Sequence, residues 1–257
     1  MIQLDYTNYS KVYVIGDIHG LFERLKETIT PNITNAVIII AGDIGLGFQK
    51  KTYYNRIFKD LNKRLLELDS HILMFRGNHD DPSYFNGKKQ IVLSNIRTIE
   101  DYTVVSTANH NTLCVGGSLS IDRMYRTPNK SYWKNEAMVY DEYQLNEIHE
   151  NGIEIDSVVT HTYPRVPNIE ANEDILKNWM MIDDGLEYDL AEEDATMTKL
   201  QEKLESWYKI KIWICGHLHI SKVFLYKETI YQQADCYFSV YDMDNLYYNK
   251  IIQTNNN

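Results

Sequence analysis

Five short polar motifs in this chain carry residue types that bind metal ions, and each follows an apolar run of β-strand character. The motifs are GDIHG at 16–20, GD at 42–43, GNHD at 77–80, THT at 160–162 and GHLH at 216–219. The candidate ligands within them are Asp17, His19, Asp43, Asn78, His161, His217 and His219. Because sheets carry functional loops at the ends of their strands, this recurrence predicts one shared metal site.

Two of the motifs contain paired ligands, since Asp17 and His19 are two positions apart, as are His217 and His219. In extended backbone, residues i and i+2 point to the same side, so each pair is predicted to face one centre. On a helix the same spacing would place the side chains about 200° apart, and the prediction therefore requires strand ends. The flanking runs VYVI and IWIC favour strands, and the glycines of the motifs are predicted to permit sharp turns.

The donor set comprises two carboxylates, four imidazoles and one amide oxygen. This mixture favours borderline divalent cations over Ca²⁺ or a thiolate-bound zinc, so we expect two divalent ions, Mn²⁺ first, with Fe, Zn, Ni or Mg as alternatives. Two such ions carry four positive charges, of which Asp17 and Asp43 cancel two. The surplus is predicted to bind a phosphoryl group and to acidify a bridging water to hydroxide.

The order D-x-H, GD, GNH[DE], a single His after an apolar strand and GHxH resembles the calcineurin-like metallophosphoesterase superfamily over positions 16–219. The resemblance implies one metal held by Asp17, His19, Asp43 and His219, and a second held by Asp43, Asn78, His161 and His217. Asp43 would bridge the two. It also implies that His79 protonates or stabilises the leaving oxygen, while Asp80 orients the His79 ring.

The implied fold is a four-layer α/β/β/α sandwich, with two mixed β-sheets flanked by helices. The sequence pattern agrees with an α/β class, because β-branched runs alternate with amphipathic helical patterns in the first half and many short strands follow. Helices are predicted over the long apolar stripe from Tyr54 to Leu68, after an N-cap at Asp141, and over 191–208. The runs at 90–95 and 246–252 are among the predicted strands.

With 257 residues, the chain is predicted to form a single domain at 1–257. Two stretches fit neither the helical nor the strand period and are predicted to be loops or lids, at 118–136 and at 162–189.

Departures from the serine/threonine phosphatase branch bear on the substrate. The second motif reads GDIGLG where that branch has GDxxDRG, and His161 is followed by Thr and Tyr where it has HGG. The segment GGSLSIDRMYR with YWKNE looks like one found in some bacterial and phage phosphoesterases. Arg76, Arg123 and Arg126 are the candidate phosphate or substrate contacts. A structural salt bridge is an equal alternative for the last two.

The net charge of −10 argues against an extended nucleic-acid surface. The three cysteines lie in apolar runs, which indicates reduced thiols. The first ten residues lack a leader pattern, and no apolar run approaches the ~18 residues of a membrane span, so a cytoplasmic protein is expected. The leading hypothesis is a phosphomonoesterase acting on a phosphorylated small molecule, a nucleotide or a phosphoprotein. A phosphodiesterase for nucleotides or nucleic-acid ends, and a non-catalytic metal-stabilised binding module, are the alternatives; the oligomeric state stays open.

Overall fold

A computed structural model describes residues 3–29, 33–87 and 89–246. Its twelve strands are β1 Gln3–Tyr6, β2 Lys11–Ile15, β3 Ala36–Ile40, β4 Ser70–Met74, β5 Ile96–Thr98, β6 Thr103–Thr107, β7 Asn111–Val115, β8 Ser157–Thr160, β9 Ile212–Cys215, β10 Lys222–Tyr226, β11 Thr229–Gln233 and β12 Val240–Asp242. The α-helices of this part of the chain are α1 Phe22–Ile29, α2 Lys51–Glu67, α3 Glu142–Glu150, α4 Glu173–Met180 and α5 Leu186–Trp207.

The strands form two mixed sheets. The larger has the order β1-β6-β7-β8-β9-β11-β10, and the smaller has the order β12-β2-β3-β4-β5. In the smaller sheet β2, β3, β4 and β5 are parallel and β12 is antiparallel to β2. In the larger sheet β7, β8, β9 and β11 are parallel neighbours. The carboxyl ends of the parallel strands therefore meet at one edge of each sheet.

The two sheets pack face to face through one of three apolar clusters. Val12 and Ile39 of the smaller sheet and Cys114, Val159 and Ile214 of the larger sheet belong to this inner cluster, and all are fully buried. The strands that carry these residues are buried on both faces, because each sheet has its own apolar cluster on its outer face. This arrangement brings the strand ends of the two sheets side by side.

Helices cover the outer faces. Phe58 and Leu65 of α2 pack on the outer side of the smaller sheet, whereas Leu145 of α3 and Leu200 and Leu204 of α5 pack on the larger sheet. The buried residues of these helices recur at the three- and four-residue spacing from which the helices are predicted. The predicted four-layer α/β/β/α sandwich is confirmed.

Several boundaries differ from the sequence expectations. Residues 90–95 lie outside the described strands and make only an isolated bridge at Val92, because the paired segment starts at Ile96. The strands β1 and β11 were not anticipated. The segment 162–189 is not a loop throughout, since it contains α4 and the first turn of α5. The predicted N-cap is confirmed, as the Asp141 side chain accepts a hydrogen bond from the Gln144 N–H. Most of 246–252 lies outside the described residues.

No helix within the three described ranges is both long and apolar enough to span a membrane. All three cysteines are free, and Cys114 and Cys215 are buried in β7 and β9. Burial raises the pKa of both buried thiols, which keeps them protonated.

Candidate metal centre

The seven predicted ligands come together where the two sheets meet. Each lies in a loop that directly follows β2, β3, β4, β8 or β9. Asp17, Asp43 and His161 are buried, while His19 and His219 are exposed at the mouth of a cleft. The carboxylates are thus shielded from water, and a ligand has access from the side of the two exposed imidazoles.

One group of potential ligand atoms consists of Asp17, His19, Asp43 and His219, whose atoms all lie within 4.8 Å of one another. His219 Nε2 is 2.8 Å from Asp17 Oδ2 and 3.0 Å from His19 Nε2. Despite this proximity, Asp17 Oδ2 is buried and makes no hydrogen bond of acceptable geometry within the described structure. A buried carboxylate oxygen without a partner is costly, and a cation between these atoms would satisfy it.

A second group lies on the other side of Asp43. Asn78 Oδ1 is 2.9 Å from His161 Nε2 and 3.1 Å from His217 Nδ1, and His161 Nε2 is 3.3 Å from Asp43 Oδ1. The other oxygen of Asp43, Oδ2, is 3.9 Å from His19 Nδ1. Asp43 therefore has one oxygen near each group, which is compatible with a carboxylate that bridges two ions.

Hydrogen bonding at His161 and burial at His217 favour the form of the imidazole that binds metal, whereas the Asp17 carboxylate raises the pKa of His219. His161 Nδ1 lies 2.8 Å from the Ala41 carbonyl oxygen, so Nδ1–H donates there and the Nε2 lone pair faces the cluster. Burial, followed by the charge of the neighbouring His161, lowers the pKa of His217 to about 3. Burial raises the pKa of Asp43 well above its usual value, and the charges of Asp17 and Asp80 add to this effect. Neutral imidazoles beside crowded carboxylates fit divalent cations.

The backbone at the ligands corrects one step of the sequence argument. His19, His217 and His219 have φ values of 45°, 67° and 57°, and Asp43 has 48°. These residues are in the left-handed region and not in the extended conformation from which the i, i+2 geometry was inferred. The pairs still converge, because the chain turns immediately after β2 and β9. Non-glycine residues in this region are strained, and such strain concentrates at functional sites.

Two glycines are required by close packing at the site. Gly42 has a φ of 86°, and a Cβ there would collide with the His161 ring. Gly77 does not have a positive φ, although all the motif glycines are predicted to permit sharp turns. A Cβ at this position would collide with Asp43 Oδ1. Glycine is therefore needed at 42 for conformation and space, and at 77 for space alone.

His79 lies beside the cluster, with Nε2 3.8 Å from Asp43 Oδ2. Burial, followed by the charge of Arg126, lowers its pKa to about 2. The expected contact from Asp80 is not made, and in the described chain His79 Nδ1 has no hydrogen-bond partner. Asp80 instead accepts backbone N–H hydrogen bonds from Ile44, Gly45, Leu46 and Gly77. Its carboxylate holds two ligand loops together, because backbone amides satisfy both of its oxygens.

The three predicted substrate arginines have different surroundings. Arg126 faces the cleft, with Nη2 3.3 Å from His79 Nε2, and is held by Asp122. Arg123 forms ion pairs with Asp183 and Asp189, which is the salt-bridge alternative.

The guanidinium of Arg76 is directed away from the cluster. It donates to Asp101 and to the carbonyl oxygens of 135, 136 and 137. The predicted substrate contacts of Arg76 and Arg123 are therefore corrected to structural roles, because their donors are used within the protein. Arg126 stays a candidate.

Sequence reasoning missed a hydrogen-bonded chain behind Asn78. Asn78 Nδ2 donates to Ser120 Oγ at 3.0 Å, and Ser120 Oγ donates to Glu136 Oε2 at 2.8 Å. Because only the amide nitrogen can donate, this chain fixes the orientation that presents Asn78 Oδ1 to the two imidazoles. Ser120 and Glu136 lie in the segment 118–136, which also carries Arg123 and Arg126. No sequence spacing connects them to Asn78.

Replacing Ser120 with alanine is expected to lower metal affinity or activity about 10- to 100-fold, the usual effect of removing a group that orients a ligand. Isothermal titration calorimetry with Mn²⁺ measures the affinity. Ser131→Ala serves as a control, since Ser131 belongs to the same segment and contacts Thr127 and Arg126 but not Asn78. Equal affinity in Ser120→Ala and wild type would contradict the orienting role.

A second buried acid, Glu193 of α5, lies near the cleft. Burial raises its pKa to about 7, although hydrogen bonds from Ser118 and Thr162 oppose this. Its Oε1 has no hydrogen-bond partner in the described residues. The folded pKa lies above the ordinary value of 4.5. The contribution of Glu193 to folding stability is therefore fully present below pH 4.5 and is lost as the pH rises through about 7.

The free energy of unfolding of a Glu193→Gln variant, relative to that of wild type, is expected to increase between about pH 5 and pH 8. The increase should be at most about 3 kcal/mol and should appear as a higher melting temperature. Thermal unfolding at matched metal concentration measures the difference. Glu202→Gln, at an exposed position of the same helix, is the matched control. A pH-independent difference for Glu193→Gln would refute the buried-acid interpretation.

Comparison with known proteins identifies the class to which this chain belongs. The calcineurin-like phosphoesterase family matches residues 10–221. The chain therefore belongs to the calcineurin-like phosphoesterase family, whose members are metal-dependent phosphoester hydrolases. The resemblance drawn from the five motifs is confirmed.

Two solved structures are similar to this chain. The crystal structure of TT1561 of Thermus thermophilus superposes with a TM-score of 0.57 at 14% identity, covering 92% of this chain and 95% of that one. A putative 5'-nucleotidase from Staphylococcus aureus, in complex with alpha-ketoglutarate, gives a TM-score of 0.41 at 14% identity, covering 90% of this chain and 49% of that one. The first likeness concerns the fold alone. No curated protein matches the chain.

Proposed function

We propose that this protein is a phosphomonoesterase that uses two divalent metal ions, held by Asp17, His19, Asp43, Asn78, His161, His217 and His219. The observation that carries the proposal is the position of Asp43, with one oxygen 3.3 Å from His161 Nε2 and the other 3.9 Å from His19 Nδ1. A carboxylate shared in this way between two ligand groups suits a pair of neighbouring ions, with Mn²⁺ as the proposed working metal.

When bound, such ions attract the phosphoryl group and supply a nucleophile at neutral pH. The protein's own residues complete the site. Arg126 lies beside His79 and can donate to a phosphate oxygen, because its Nη2 faces the cleft. His79 Nε2 lies at the cleft beside Arg126 Nη2, and its proposed role is to protonate or stabilise the leaving oxygen. Protonation there requires that the bound phosphate raise a pKa that burial and Arg126 lower. Asp80 keeps the loops that carry Asp43 and His79 in register.

The proposal is tested by hydrolysis of p-nitrophenyl phosphate with Mn²⁺. We expect turnover that EDTA abolishes and that falls strongly in His19→Ala and Asn78→Ala. His71→Ala is a suitable control, because His71 contacts Tyr9 and Tyr6 outside the cluster. Activity that survives EDTA, or that is unchanged in both ligand variants, would refute the proposal.

A phosphodiesterase is the second candidate, and one observation favours it. The cleft continues on both sides of the cluster, one cavity lying against His79 and His217 and another against His19 and Arg126. The two organic groups of a diester have room on opposite sides. Faster turnover of bis-p-nitrophenyl phosphate than of the monoester would decide for this candidate. Metal binding without turnover of either ester would instead support the non-catalytic binding module.

The partner we propose is a phosphorylated small molecule, with a nucleotide or phosphoprotein as alternatives. We also propose a cytoplasmic location, supported by the three free cysteines.

A further inference from the structure

A cavity of about 280 Å³ adjoins the candidate metal centre. Its lining includes Asp43, Asn78 and His79 of the metal centre and apolar side chains of the segment that contains α4, together with the carboxyl groups of Asp122 and Glu193. A molecule whose phosphate occupied the metal centre would therefore extend its organic part toward α4.

The apolar wall is formed mainly by Ile175, Leu176 and Trp179 of α4, together with Tyr163 and Leu190. Ile175 is 45% exposed, and none of the residues of α4 is buried in the described structure. A helix normally buries its apolar face against the core, but this one leaves its apolar side chains toward the cavity. Apolar surface that lines a cleft and is not covered by the protein indicates a binding site.

The position of Trp179 is fixed from outside the cavity. Its ring contacts the ring of Tyr125 at a centroid distance of 5.5 Å, in an edge-to-face arrangement. Tyr125 belongs to the other predicted lid segment, 118–136, which also carries Arg126. The contact between Trp179 and Tyr125 therefore ties the apolar wall to the segment whose Asp122 lines both this cavity and the neighbouring cavity that contains Arg126.

We propose that the substrate is a phosphoester whose organic group is apolar and about the size of an aromatic ring, and that this group binds against Trp179, Ile175 and Tyr163. The inference rests on the proposed function, because it places the phosphate at the metal centre. A free sugar phosphate or a short hydrophilic alkyl phosphate does not use this wall.

Binding of two phosphonates that cannot be hydrolysed tests the inference without relying on turnover. Ethylphosphonate and 2-phenylethylphosphonate share the anionic group and differ by the ring. Calorimetry with the Mn²⁺-loaded protein should show about 10- to 100-fold tighter binding of the phenyl compound, as burial of a ring of this size implies. In Trp179→Ala the advantage should fall to about 3-fold or less, while alanine preserves the helix.

Met181→Ala is the matched control, since Met181 is the C-cap of the same helix but is 76% exposed and lies outside the cavity wall. It should keep the full advantage of the phenyl compound. Equal affinity of the wild type for both phosphonates, an unchanged advantage in Trp179→Ala, or an equal loss in Met181→Ala would each overturn the inference. Failure of the proposed function is distinct: neither phosphonate would bind, and no phosphoester would be hydrolysed.

Discussion

An Asp43→Asn variant is expected to lose phosphoesterase activity by about a thousandfold or more, because several kcal/mol of transition-state stabilisation depend on a complete metal pair. Asp43 is the residue whose two oxygens approach both ligand groups. Its neutral amide would weaken both sites together, so the bound metal should also fall. Rates with p-nitrophenyl phosphate and elemental analysis of the dialysed protein measure the two effects.

The same variant is expected to be more stable than wild type when both are free of metal. Asp43 is buried beside Asp17 and Asp80, and burial together with these charges raises its pKa well above the usual value. Removing one of three crowded carboxylates relieves this cost, by about 0.5–2 kcal/mol or a few degrees in Tm. Saturating Mn²⁺ should reverse the order, because ligands that bind only the folded state stabilise it.

Asp60→Asn is the control for both measurements, since Asp60 is exposed and pairs with Lys26 on the outer helices. It should leave activity and metal content unchanged. An active Asp43→Asn would contradict the bridging role, and a metal-free Asp43→Asn less stable than metal-free wild type would contradict the cost assigned to the crowded carboxylates.

Replacing His79 with asparagine is expected to lower kcat about 10²- to 10⁴-fold with little change in bound metal, as the loss of a proton donor predicts. The His79 ring lies beside the predicted ligands, with Nε2 3.8 Å from Asp43 Oδ2 and 3.3 Å from Asn78 Nδ2, but it is not itself one of them. The loss should be larger for an alkyl phosphate than for p-nitrophenyl phosphate, because p-nitrophenolate leaves without needing a proton. Rates with the two esters, compared within one variant, give the measurement.

His149→Asn provides the control for His79. The His149 ring stacks on Trp207, remote from the cluster, at a centroid distance of 4.2 Å. Its replacement should affect the two esters equally and slightly. A His79→Asn variant that slows both esters by the same factor would show that His79 acts on binding or position and not as a proton donor.

The fold and the ligand set were accessible from sequence because they depend on local patterns. Each ligand follows an apolar run of four or five residues that forms a fully or mostly buried strand, as for β3 and β9. Helices with strong apolar spacing, such as α2, were equally visible. Residue type and chain position were enough to predict which side chains meet.

Other features depend on tertiary contacts that leave no sequence period. The left-handed conformation of His19 and His217 is imposed by the site and not by residue preference. Asp80 follows His79 directly, yet its oxygens face backbone amides of another loop. The helix α4 was missed although Ile175, Leu176 and Trp179 recur at helical spacing, because it has only eight residues and lies in an acidic stretch that follows Pro164 and Pro167.

The long-range partners of the arginines were also beyond a sequence argument. Arg123 reaches Asp183, 60 positions away, and Arg76 reaches carbonyl oxygens near 136 at a similar separation. Charge alone does not distinguish a guanidinium that binds substrate from one that ties two segments together.

Anomalous scattering from a crystal of the Mn²⁺-saturated protein, recorded at the manganese edge, would show whether two ions share Asp43. We expect two peaks about 3.5–4 Å apart. One should lie among Asp17, His19, Asp43 and His219, and the other among Asp43, Asn78, His161 and His217. A single peak, or none at saturating Mn²⁺, would contradict the shared two-metal site.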